Sequence, residues 1–428
     1  MMVSPSPEPV PSPIPSMRIA FLTQSYPPMI SGAAIAVKQL ANEMAKHGHH
    51  VLVIAASDRK QPYVSMEYNL SVIRLKSIRN PMRVGQRLLV YPRTSVLKAL
   101  HEFKPDIIHG HEPLLCWIGF EYARQMNVPT TLTMHMLPWF VTGYLPKPGV
   151  LQRLTEQTVW LYVRIFANNF TSIITTTKTA SMTVSKTAGI RTETIPCGID
   201  TRMFHPSLFR ESEIAARGRL NLPPDVPILL HVGRLDPEKN VDRILQAAAL
   251  TMRESNAHLL IVGDGREKTA LMKLSQSLGI ADRTHFSGYL TAREGLPDIY
   301  RIAALFVMAS EVESQGLVLL EAAASGLPLV AVDATSIAEI VYNGVNGYLV
   351  HPGDLHALGT AMTNLLNDPE KARQMGRESR KLAKYYDIQS VQKMHEGLYD
   401  RLVRQRDAGK PYPSSSWKRV KSWMGFSD

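Results

Sequence analysis

Short apolar runs alternate with amphipathic stretches along this chain, and the series occurs twice. The first series starts at Met17 with "MRIAFLT" and continues through "HVLVIAA", "LSVIRL", "DIIHGH", "PTTLTM" and "SIITTT". The second series comprises "PILLHVGRL", "AHLLIVGDG", "THFSG", "LFVMAS", "LPLVAV" and "GYLV". Apolar strands separated by helical segments are typical of a mainly parallel sheet covered by helices. The sequence therefore predicts an α/β protein with two such sheets.

Polar and proline-containing residues from 200 to 225 separate the two series. A loss of periodicity of this kind indicates a connection between domains. We therefore expect two Rossmann-like domains that face each other across a cleft. Ligands of open α/β sheets bind beyond the carboxyl ends of the strands, so the loops after each strand are where functional residues are expected.

Composition narrows the class of protein. Apolar residues make up 45% and charged residues 20% of the 428 residues, a composition typical of globular proteins. No run approaches the roughly 18 consecutive apolar residues of a membrane-spanning helix. The two cysteines, Cys116 and Cys197, cannot form a disulfide framework and favour a reducing cytoplasm. The net charge of +11, from 48 basic and 37 acidic residues, indicates an anionic partner.

Two glutamates, Glu313 and Glu321, flank the start of a predicted helix in "SEVESQGLVLLEAAASGLP" (310–328). The backbone N–H groups at such a helix start can bind an anion, and Gly316 allows a phosphate to approach closely. Each carboxylate can accept hydrogen bonds from vicinal hydroxyls. The spacing thus suits a sugar at each carboxylate and a diphosphate between them, whereas a solvated loop end and helix surface is the simpler alternative.

The loop "VGRLDPEKN" offers Arg234 and Lys239 after the first strand of the second series. An arginine and a lysine that converge on one cleft suit a diphosphate, because arginine binds as a fork and lysine as a point charge. A solvated helix start is the alternative interpretation of this loop taken alone.

Five motifs in this order, "GRLDPEKN", "VGDG", "FSGYL", "ESQGLVLLE" and "NGVNGYLV", resemble those of the retaining glycosyltransferases of family 4. That family has the two-domain GT-B fold, and the resemblance covers roughly residues 17–400. It implies transfer of a sugar from a nucleotide diphosphate sugar with retention of anomeric configuration. The acceptor's proton would pass to the departing phosphate oxygen in a same-face attack, since the sequence offers no obvious covalent nucleophile.

The resemblance also implies roles for the residues already singled out. Arg234 and Lys239 would hold the donor diphosphate, and Glu321 would bind the nucleotide ribose. Glu313 would bind hydroxyls of the transferred sugar. The backbone that assists Glu313 would come from four consecutive residues: Ser314, Gln315, Gly316 and Leu317.

Three further positions match the family pattern. The backbone around Tyr289 and Leu290 would read the base. Gly32 would approach the diphosphate when the cleft closes, although Ala33 stands where the family usually has a second glycine. His135, in "LTMHMLPWF", would lie beside the reacting sugar at a strand end, whereas a lone histidine is more often structural.

No tightly bound metal and no other cofactor are expected. The chain contains no Asp-x-Asp sequence. His109 and His111, in "DIIHGHEP", are expected to point to opposite faces of a strand and so not to chelate a metal. The two cations and the helix start would then stabilise the leaving diphosphate instead.

We expect four segments along the chain. Residues 1–16, in which proline alternates from Pro5 to Pro15, form a disordered leader, and Met17 could be an alternative start. Residues 17–205 form the acceptor and membrane domain, and residues 206–385 the nucleotide-sugar domain. Residues 386–428 form a helix that returns to the first domain, followed by a basic tail.

Positive charge concentrates in the segment 73–104, where one acid, Glu102, accompanies eight basic residues: Arg74, Lys76, Arg79, Arg83, Arg87, Arg93, Lys98 and Lys104. This segment resembles the region by which lipid-glycosylating family members contact anionic membranes. The tail "SWKRVKSWMGFSD" would place Trp417 and Trp423 on one face of a helix flanked by basic residues. We therefore expect a peripheral protein at the cytoplasmic face of the membrane with a lipid acceptor, the alternatives being a basic surface and a tail helix packed on the first domain.

Other classes fit less well. A nucleic-acid binder would also be basic, but no reading motif accompanies the charges, so no nucleic-acid partner is expected. The expected activity is transfer of a hexose from a UDP-glucose or UDP-galactose type donor, or from GDP-mannose, to a lipid such as diacylglycerol or a phospholipid. Transfer to a soluble sugar or polysaccharide intermediate, or epimerisation of a sugar nucleotide, are the alternatives.

Overall fold

The structure is a computed structural model that describes residues 14–29, 31–59, 61–79, 87–90, 92–135, 150–207 and 210–409. Most of the predicted leader, the whole predicted tail helix and Arg83 lie outside the described residues. No helix in the described part of the chain is both long enough and apolar enough to span a bilayer.

The first domain is built on an eight-stranded sheet with a small hairpin beside it. The described residues of this half form ten strands: β1 (Arg18–Leu22), β2 (His50–Ala56), β3 (Tyr63–Glu67), β4 (Leu70–Leu75), β5 (Ser77–Arg79), β6 (Arg87–Leu89), β7 (Ile107–Gly110), β8 (Thr130–Met134), β9 (Ser172–Thr175) and β10 (Glu193–Thr194). The sheet order is β10-β9-β8-β7-β1-β2-β4-β3. Only the edge pair β3 and β4 is antiparallel among the described strands of this sheet.

Helices cover the first sheet on both faces. They are α1 (Gly32–Lys46), α2 (Arg93–Phe103), α3 (Pro113–Met126), α4 (Val150–Ala167) and α5 (Lys178–Ala188). Side-chain oxygens of Ser31 and Thr177 accept hydrogen bonds from backbone N–H groups and so cap α1 and α5. The central strands are buried along almost their whole length, as a sheet covered on both faces requires.

The second domain repeats this plan with six parallel strands. They are β11 (Ile228–Val232), β12 (His258–Val262), β13 (Thr284–Gly288), β14 (Leu305–Met308), β15 (Leu329–Val332) and β16 (Gly347–Val350), in the order β13-β12-β11-β14-β15-β16. The helices are α6 (Arg210–Arg219), α7 (Val241–Thr251), α8 (Lys268–Ser277), α9 (Leu296–Arg301), α10 (Leu317–Ala324), α11 (Leu355–Asn367) and α12 (Pro369–Ala383).

The last described helix, α13 (Ile388–Asp407), leaves the second domain and packs on the first. Val391, Leu398, Tyr399 and Leu402 of α13 belong to the same buried cluster as the strands and helix of the first domain's opening unit. Burial of these apolar side chains holds the last described helix against the opening unit of the first domain.

The hairpin of β5 and β6 leaves the sheet at the carboxyl end of β4, where the Ser77 hydroxyl donates a 2.6 Å hydrogen bond to the Ser57 carbonyl. Ile78 and Val90 are exposed, as are Lys76 and Arg79. The hairpin therefore presents both apolar and basic side chains on the same side of the domain as the cleft.

Arg74 does not belong to this basic surface, contrary to expectation. Its side chain is buried and donates hydrogen bonds to the carbonyls of Tyr26 and Ala56, at 3.2 and 3.1 Å, and to that of Pro27. Its position on β4 turns it toward the loop between β1 and α1. Because a buried guanidinium needs acceptors, its role is to hold that loop in place.

Candidate active site

The carboxyl ends of the two sheets face each other, and several contacts join them. The Thr176 hydroxyl donates a 3.4 Å hydrogen bond to the Ser314 carbonyl. The carboxylate of Glu339 accepts from the backbone N–H groups of Lys178 and Thr179, at 3.0 and 2.7 Å. This carboxylate of the second domain therefore binds the start of α5 in the first, where the helix dipole favours negative charge.

A pocket lies between the facing edges. His135, Thr176 and Thr177 line it from the first domain, and Glu313, Ser314 and Ser336 line it from the second. The structure thus brings His135 and Glu313, predicted from separate halves of the sequence, to the same space.

Glu313 forms an ion pair with Lys239 at 2.5 Å, and both side chains are largely buried. Lys239 ends a 3₁₀ turn, Pro237–Lys239, after β11. The Glu313 backbone is held by Thr335, whose hydroxyl accepts from its N–H at 3.2 Å, and by Ser336, whose hydroxyl donates to its carbonyl at 3.1 Å. The predicted sugar-binding carboxylate and the predicted diphosphate-binding ammonium are therefore direct partners.

Arg234 also has carboxylate partners, both in its own loop. Its guanidinium donates to Asp236, and to Glu238 at 2.9 Å, and about one third of the side chain is exposed. A third cation, Arg266, lies 3.6 Å from Asp236. The sequence predicted Arg234 but not its two carboxylate partners, Asp236 and Glu238, which fix the position of the guanidinium.

The start of α10 is free of side-chain caps. Gly316, immediately before Leu317, has φ of 79°, a left-handed conformation in which a side chain is strained. No side-chain capping hydrogen bond is made at this residue. The first N–H groups of an α-helix have no carbonyl to bind within the helix, so this end can bind an anion beside Ser314.

Gln315 has a different role for its side chain than for its backbone. The side chain is buried and forms two hydrogen bonds with the backbone of Cys197, accepting from the N–H at 2.7 Å and donating to the carbonyl at 3.0 Å. It therefore fastens the turn before α10 to the connection between the domains. The prediction for Gln315 concerned its backbone, which would assist Glu313 in binding the sugar. The side-chain hydrogen bonds to Cys197 hold that backbone in position.

Glu321 is buried on α10 and accepts a 2.8 Å hydrogen bond from the hydroxyl of Tyr300. Burial raises the pKa of Glu321 to about 7, although the Tyr300 hydrogen bond acts in the opposite direction. Tyr300, on α9, is fully buried and was not anticipated from the sequence. Its hydroxyl engages one of the two carboxylate oxygens of Glu321.

Tyr289 follows β13 and lies near Glu321. Its pKa is raised first by burial and then by the charges of Glu321 and Glu294. About two fifths of the Tyr289 side chain is exposed, whereas Leu290 packs partly buried against the core of the second domain. Tyr289 thus lies within electrostatic reach of Glu321, and the assignment of Tyr289 and Leu290 to the base stays a prediction.

Gly32, the first residue of α1, lies close to the start of α10 in the opposite domain. A Cβ atom built on Gly32 would lie 3.7 Å from Cδ1 of Leu317. The amino ends of two helices therefore meet at this point of the cleft, which is a favourable place for an anionic ligand.

His135 is hydrogen-bonded to a second histidine. Its Nε2 lies 2.8 Å from Nδ1 of His111, and burial lowers the pKa of His135 to about 4. The expectation that His109 and His111 point to opposite faces is wrong. Their rings lie 4.3 Å apart on the same side of the sheet, because alternate residues of a strand share a face. Among the described residues, no group of three or more acidic, histidine or cysteine side chains has the geometry to hold a metal ion.

Comparisons with known proteins identify the family. A model described as Glycosyltransferase Family 4 matches residues 30–203, and one described as Glycosyl transferases group 1 matches residues 212–382. The D-inositol 3-phosphate glycosyltransferase of Thermobispora bispora is 30% identical over 65% of this chain and 67% of its own length. The chain belongs to glycosyltransferase family 4.

Two further relatives of this family 4 glycosyltransferase extend over nearly the whole chain. The α-monoglucosyldiacylglycerol synthase of Streptococcus pneumoniae is 26% identical over 92% of this chain and 89% of its own. The structure of sucrose-phosphate synthase from Thermosynechococcus elongatus has a TM-score of 0.74 and 26% identity, and covers 90% of this chain and 98% of that one. The GT-B fold expected from the sequence is confirmed.

The raised pKa of Glu321 predicts how stability depends on pH. A rise from the ordinary 4.5 to about 7 corresponds to about 3 kcal/mol of cost for burying the ionised carboxylate. This cost is absent below pH 4.5 and complete above pH 7. Since Glu321→Gln stays neutral and can still accept from Tyr300, we expect it to raise the melting temperature at pH 8 and to have little effect at pH 4.5.

The measurement is thermal unfolding at both pH values, with Glu102→Gln as the matched control because Glu102 is exposed on α2. Equal melting temperatures of Glu321→Gln and the wild type at pH 8 would contradict the prediction.

Proposed function

We propose that the protein transfers a hexose, with retention of configuration, from a nucleotide diphosphate sugar to a hydroxyl of a membrane lipid such as diacylglycerol or a phospholipid. The observation that carries this proposal is the order of groups around the start of α10. The Glu313 carboxylate, the uncapped helix start and the Glu321 carboxylate follow one another along the chain, and His135 lines the same pocket as Glu313 from the other domain.

The donor fits these groups in the order sugar, diphosphate, nucleoside. Glu313 would accept from hydroxyls of the hexose, and the amides from Ser314 to Leu317 would bind the diphosphate. Glu321 would accept from the ribose hydroxyls, with Tyr289 and Leu290 beside the base. UDP-glucose, UDP-galactose and GDP-mannose all present this sequence of groups.

The cations would act on the leaving group. As the bond between the anomeric carbon and the diphosphate oxygen breaks, negative charge grows on the diphosphate. Lys239, Arg234 and the amides of α10 would stabilise that charge. The acceptor oxygen would form its bond to the same face of the sugar while its proton passes to the departing oxygen, so that retention needs no covalent enzyme intermediate.

The acceptor is proposed from two independent indications. A relative that covers nearly the whole chain is named for synthesis of a glucosyldiacylglycerol. In this chain, the hairpin of β5 and β6 exposes Ile78 and Val90 beside Lys76 and Arg79 at the cleft side of the first domain. Apolar side chains among cations suit an anionic bilayer surface, and we propose peripheral attachment at its cytoplasmic face.

A soluble acceptor is the second candidate. The relatives named as a D-inositol 3-phosphate glycosyltransferase and a sucrose-phosphate synthase favour it. A panel of UDP- and GDP-sugars offered with dioleoylglycerol vesicles, with phospholipid vesicles and with soluble sugars distinguishes the two, because the labelled product partitions with lipid or with water. Epimerised donor released without any acceptor would instead indicate an epimerase.

Removal of donor-binding groups should lower activity without unfolding the protein. We expect Lys239→Ala and Glu321→Ala each to lower kcat/KM for the donor about ten- to hundredfold, the effect of losing a charged hydrogen bond. Lys239→Ala should be the more harmful, because it leaves Glu313 unpaired where the diphosphate binds. The control is Lys273→Ala, which removes an exposed lysine on α8. Unchanged kinetics in a folded Lys239 or Glu321 variant would exclude this donor site.

Activity should survive chelation. We propose that no tightly held metal takes part, because Lys239, Arg234 and α10 supply the positive charge that a cation would otherwise provide. The measurement is the initial rate after dialysis against EDTA, which we expect to stay within about twofold of the untreated enzyme. Complete loss that Mg²⁺ or Mn²⁺ restores would refute this.

Binding to anionic vesicles should depend on the hairpin and weaken as salt rises. Each surface cation contributes about 1 kcal/mol toward anionic lipid, so Lys76→Ala with Arg79→Ala should weaken binding about tenfold or more. The matched control is Arg373→Ala with Arg377→Ala, which removes the same charge from exposed sites on α12. Co-sedimentation with phosphatidylglycerol vesicles measures both, and equal losses in the two double variants would show that only net charge matters.

A further inference from the structure

The hydrogen bond between His111 and His135 lies in the plane of both imidazole rings. His111 follows β7, His135 follows β8, and these strands are neighbours in the sheet. The N···N distance is 2.8 Å, the ring centroids are 5.1 Å apart and the planes differ by 21°. The centroid separation is close to the N···N distance plus the two ring radii, so the rings meet edge to edge in a nearly linear hydrogen bond.

Such a bond between two neutral imidazoles has two arrangements. In the first, Nδ1–H of His111 donates to Nε2 of His135, and the proton of His135 is then on its Nδ1. In the second, Nε2–H of His135 donates to Nδ1 of His111, and the proton of His111 is then on its own Nε2. The two arrangements differ in what His135 offers a ligand, which is an N–H in the first and a lone pair in the second.

The other nitrogen of His111 distinguishes them. Its Nε2 is buried and has no hydrogen-bond partner among the described residues. In the second arrangement this atom would be a buried N–H without an acceptor, which is rarer in proteins than a buried acceptor without a donor. In the first arrangement it is only an unused lone pair. The geometry therefore favours the first arrangement.

We propose that His111 is a positioning residue that fixes the proton of His135 on Nδ1, so that His135 meets the ligand as a hydrogen-bond donor. In the reaction proposed above, His135 would donate to an oxygen of the transferred sugar. Its only lone pair is used by His111, so it would not serve as the base for the acceptor. The proton of the acceptor then passes to the departing diphosphate oxygen.

The surroundings of His111 keep this arrangement rigid and neutral. The His109 ring stacks on the His111 ring, and His109 is itself held by the Tyr399 hydroxyl at 2.6 Å and the Thr133 hydroxyl at 2.7 Å. Burial, followed by the neighbouring histidines His109, His135 and His395, lowers the pKa of His111 well below its ordinary value. Both rings of the pair are therefore neutral at physiological pH.

The tautomer can be measured directly on the ligand-free full-length protein. Two-bond ¹⁵N–¹H spectra of histidine-labelled protein distinguish protonated from unprotonated ring nitrogens, and His135→Gln assigns the His135 signals among the 14 histidines. We expect Nδ1 of His135 to be protonated in the wild type. Protonation at Nε2 instead would overturn the proposal, even if no His111 variant folded.

Two variants test the cause. In His111→Asn the amide nitrogen can take the place of Nδ1 and donate to His135, so the Nδ1 proton should be retained. His111→Leu has no donor, so the His135 proton should shift wholly or partly to Nε2. An unchanged His135 spectrum in a folded His111→Leu protein would overturn the proposal. Thermal unfolding of both variants reports any loss of packing.

The kinetic arm of the test rests on the proposed function. With UDP-glucose and dioleoylglycerol vesicles, we expect His111→Leu to lower kcat about tenfold and His111→Asn to recover most of it. If His111 acted through packing alone, the smaller Asn side chain would give a kcat no higher than that of His111→Leu. That result would also count against the proposal. If the wild type transfers sugar from none of the UDP- and GDP-sugars of the panel to either kind of vesicle, the proposed function fails while the spectra still decide the tautomer.

Discussion

Two crossing segments of backbone hold the carboxyl ends of the two sheets opposite each other. The N–H of Ile199 donates to the Tyr386 carbonyl at 2.9 Å, and the N–H of Ile388 donates to the Ile199 carbonyl at 2.8 Å. The segments are so close that a Cβ on Gly198 would lie 2.8 Å from Cα of Ile388, so only glycine fits there. Arg380 adds hydrogen bonds from its guanidinium to three carbonyls, those of Thr201, Phe204 and Ala324. Since Ala324 ends α10, the same side chain ties the crossing to the helix whose start lies in the cleft.

The charged groups of the candidate site have polar partners before any ligand binds. Lys239 is paired with Glu313, Arg234 with two acids of its own loop, and Glu321 with the Tyr300 hydroxyl. A buried charge without such partners would destabilise the fold, so each group is held in position by the partner that makes its burial tolerable. The raised pKa of Glu321 shows that compensation is incomplete there. A ligand with hydroxyl donors would supply what is missing.

The site also depends on the last helix through a row of aromatic and polar side chains. From the cleft inward the order is His135, His111, His109 and then Tyr399 of α13. Tyr399 is fully buried with the apolar residues of α13, so docking of this helix fixes the Tyr399 ring. Tyr399 in turn holds His109 by a hydrogen bond, and His109 limits the motion of the His111 ring that stacks on it. The last described helix therefore supports a residue that lines the pocket between the domains.

Local pattern in the sequence determined much of this protein. The alternation of apolar and amphipathic segments predicted both sheets, and "ESQGLVLLE" predicted that two carboxylates flank a helix start, because 313 to 321 are close along the chain. The shared face of His109 and His111 could also have been predicted from the sequence, because residues two apart on a strand line the same face. The expectation of opposite faces applied this rule incorrectly. Tertiary structure alone decided the pairing of Glu313 with Lys239, 74 residues away, and of Glu321 with Tyr300. It likewise turned Arg74 from the basic surface into the interior. Periodicity reports which side of its own element a residue occupies, whereas these partners come from different elements and meet only when the strands take their order in the sheets and the domains close.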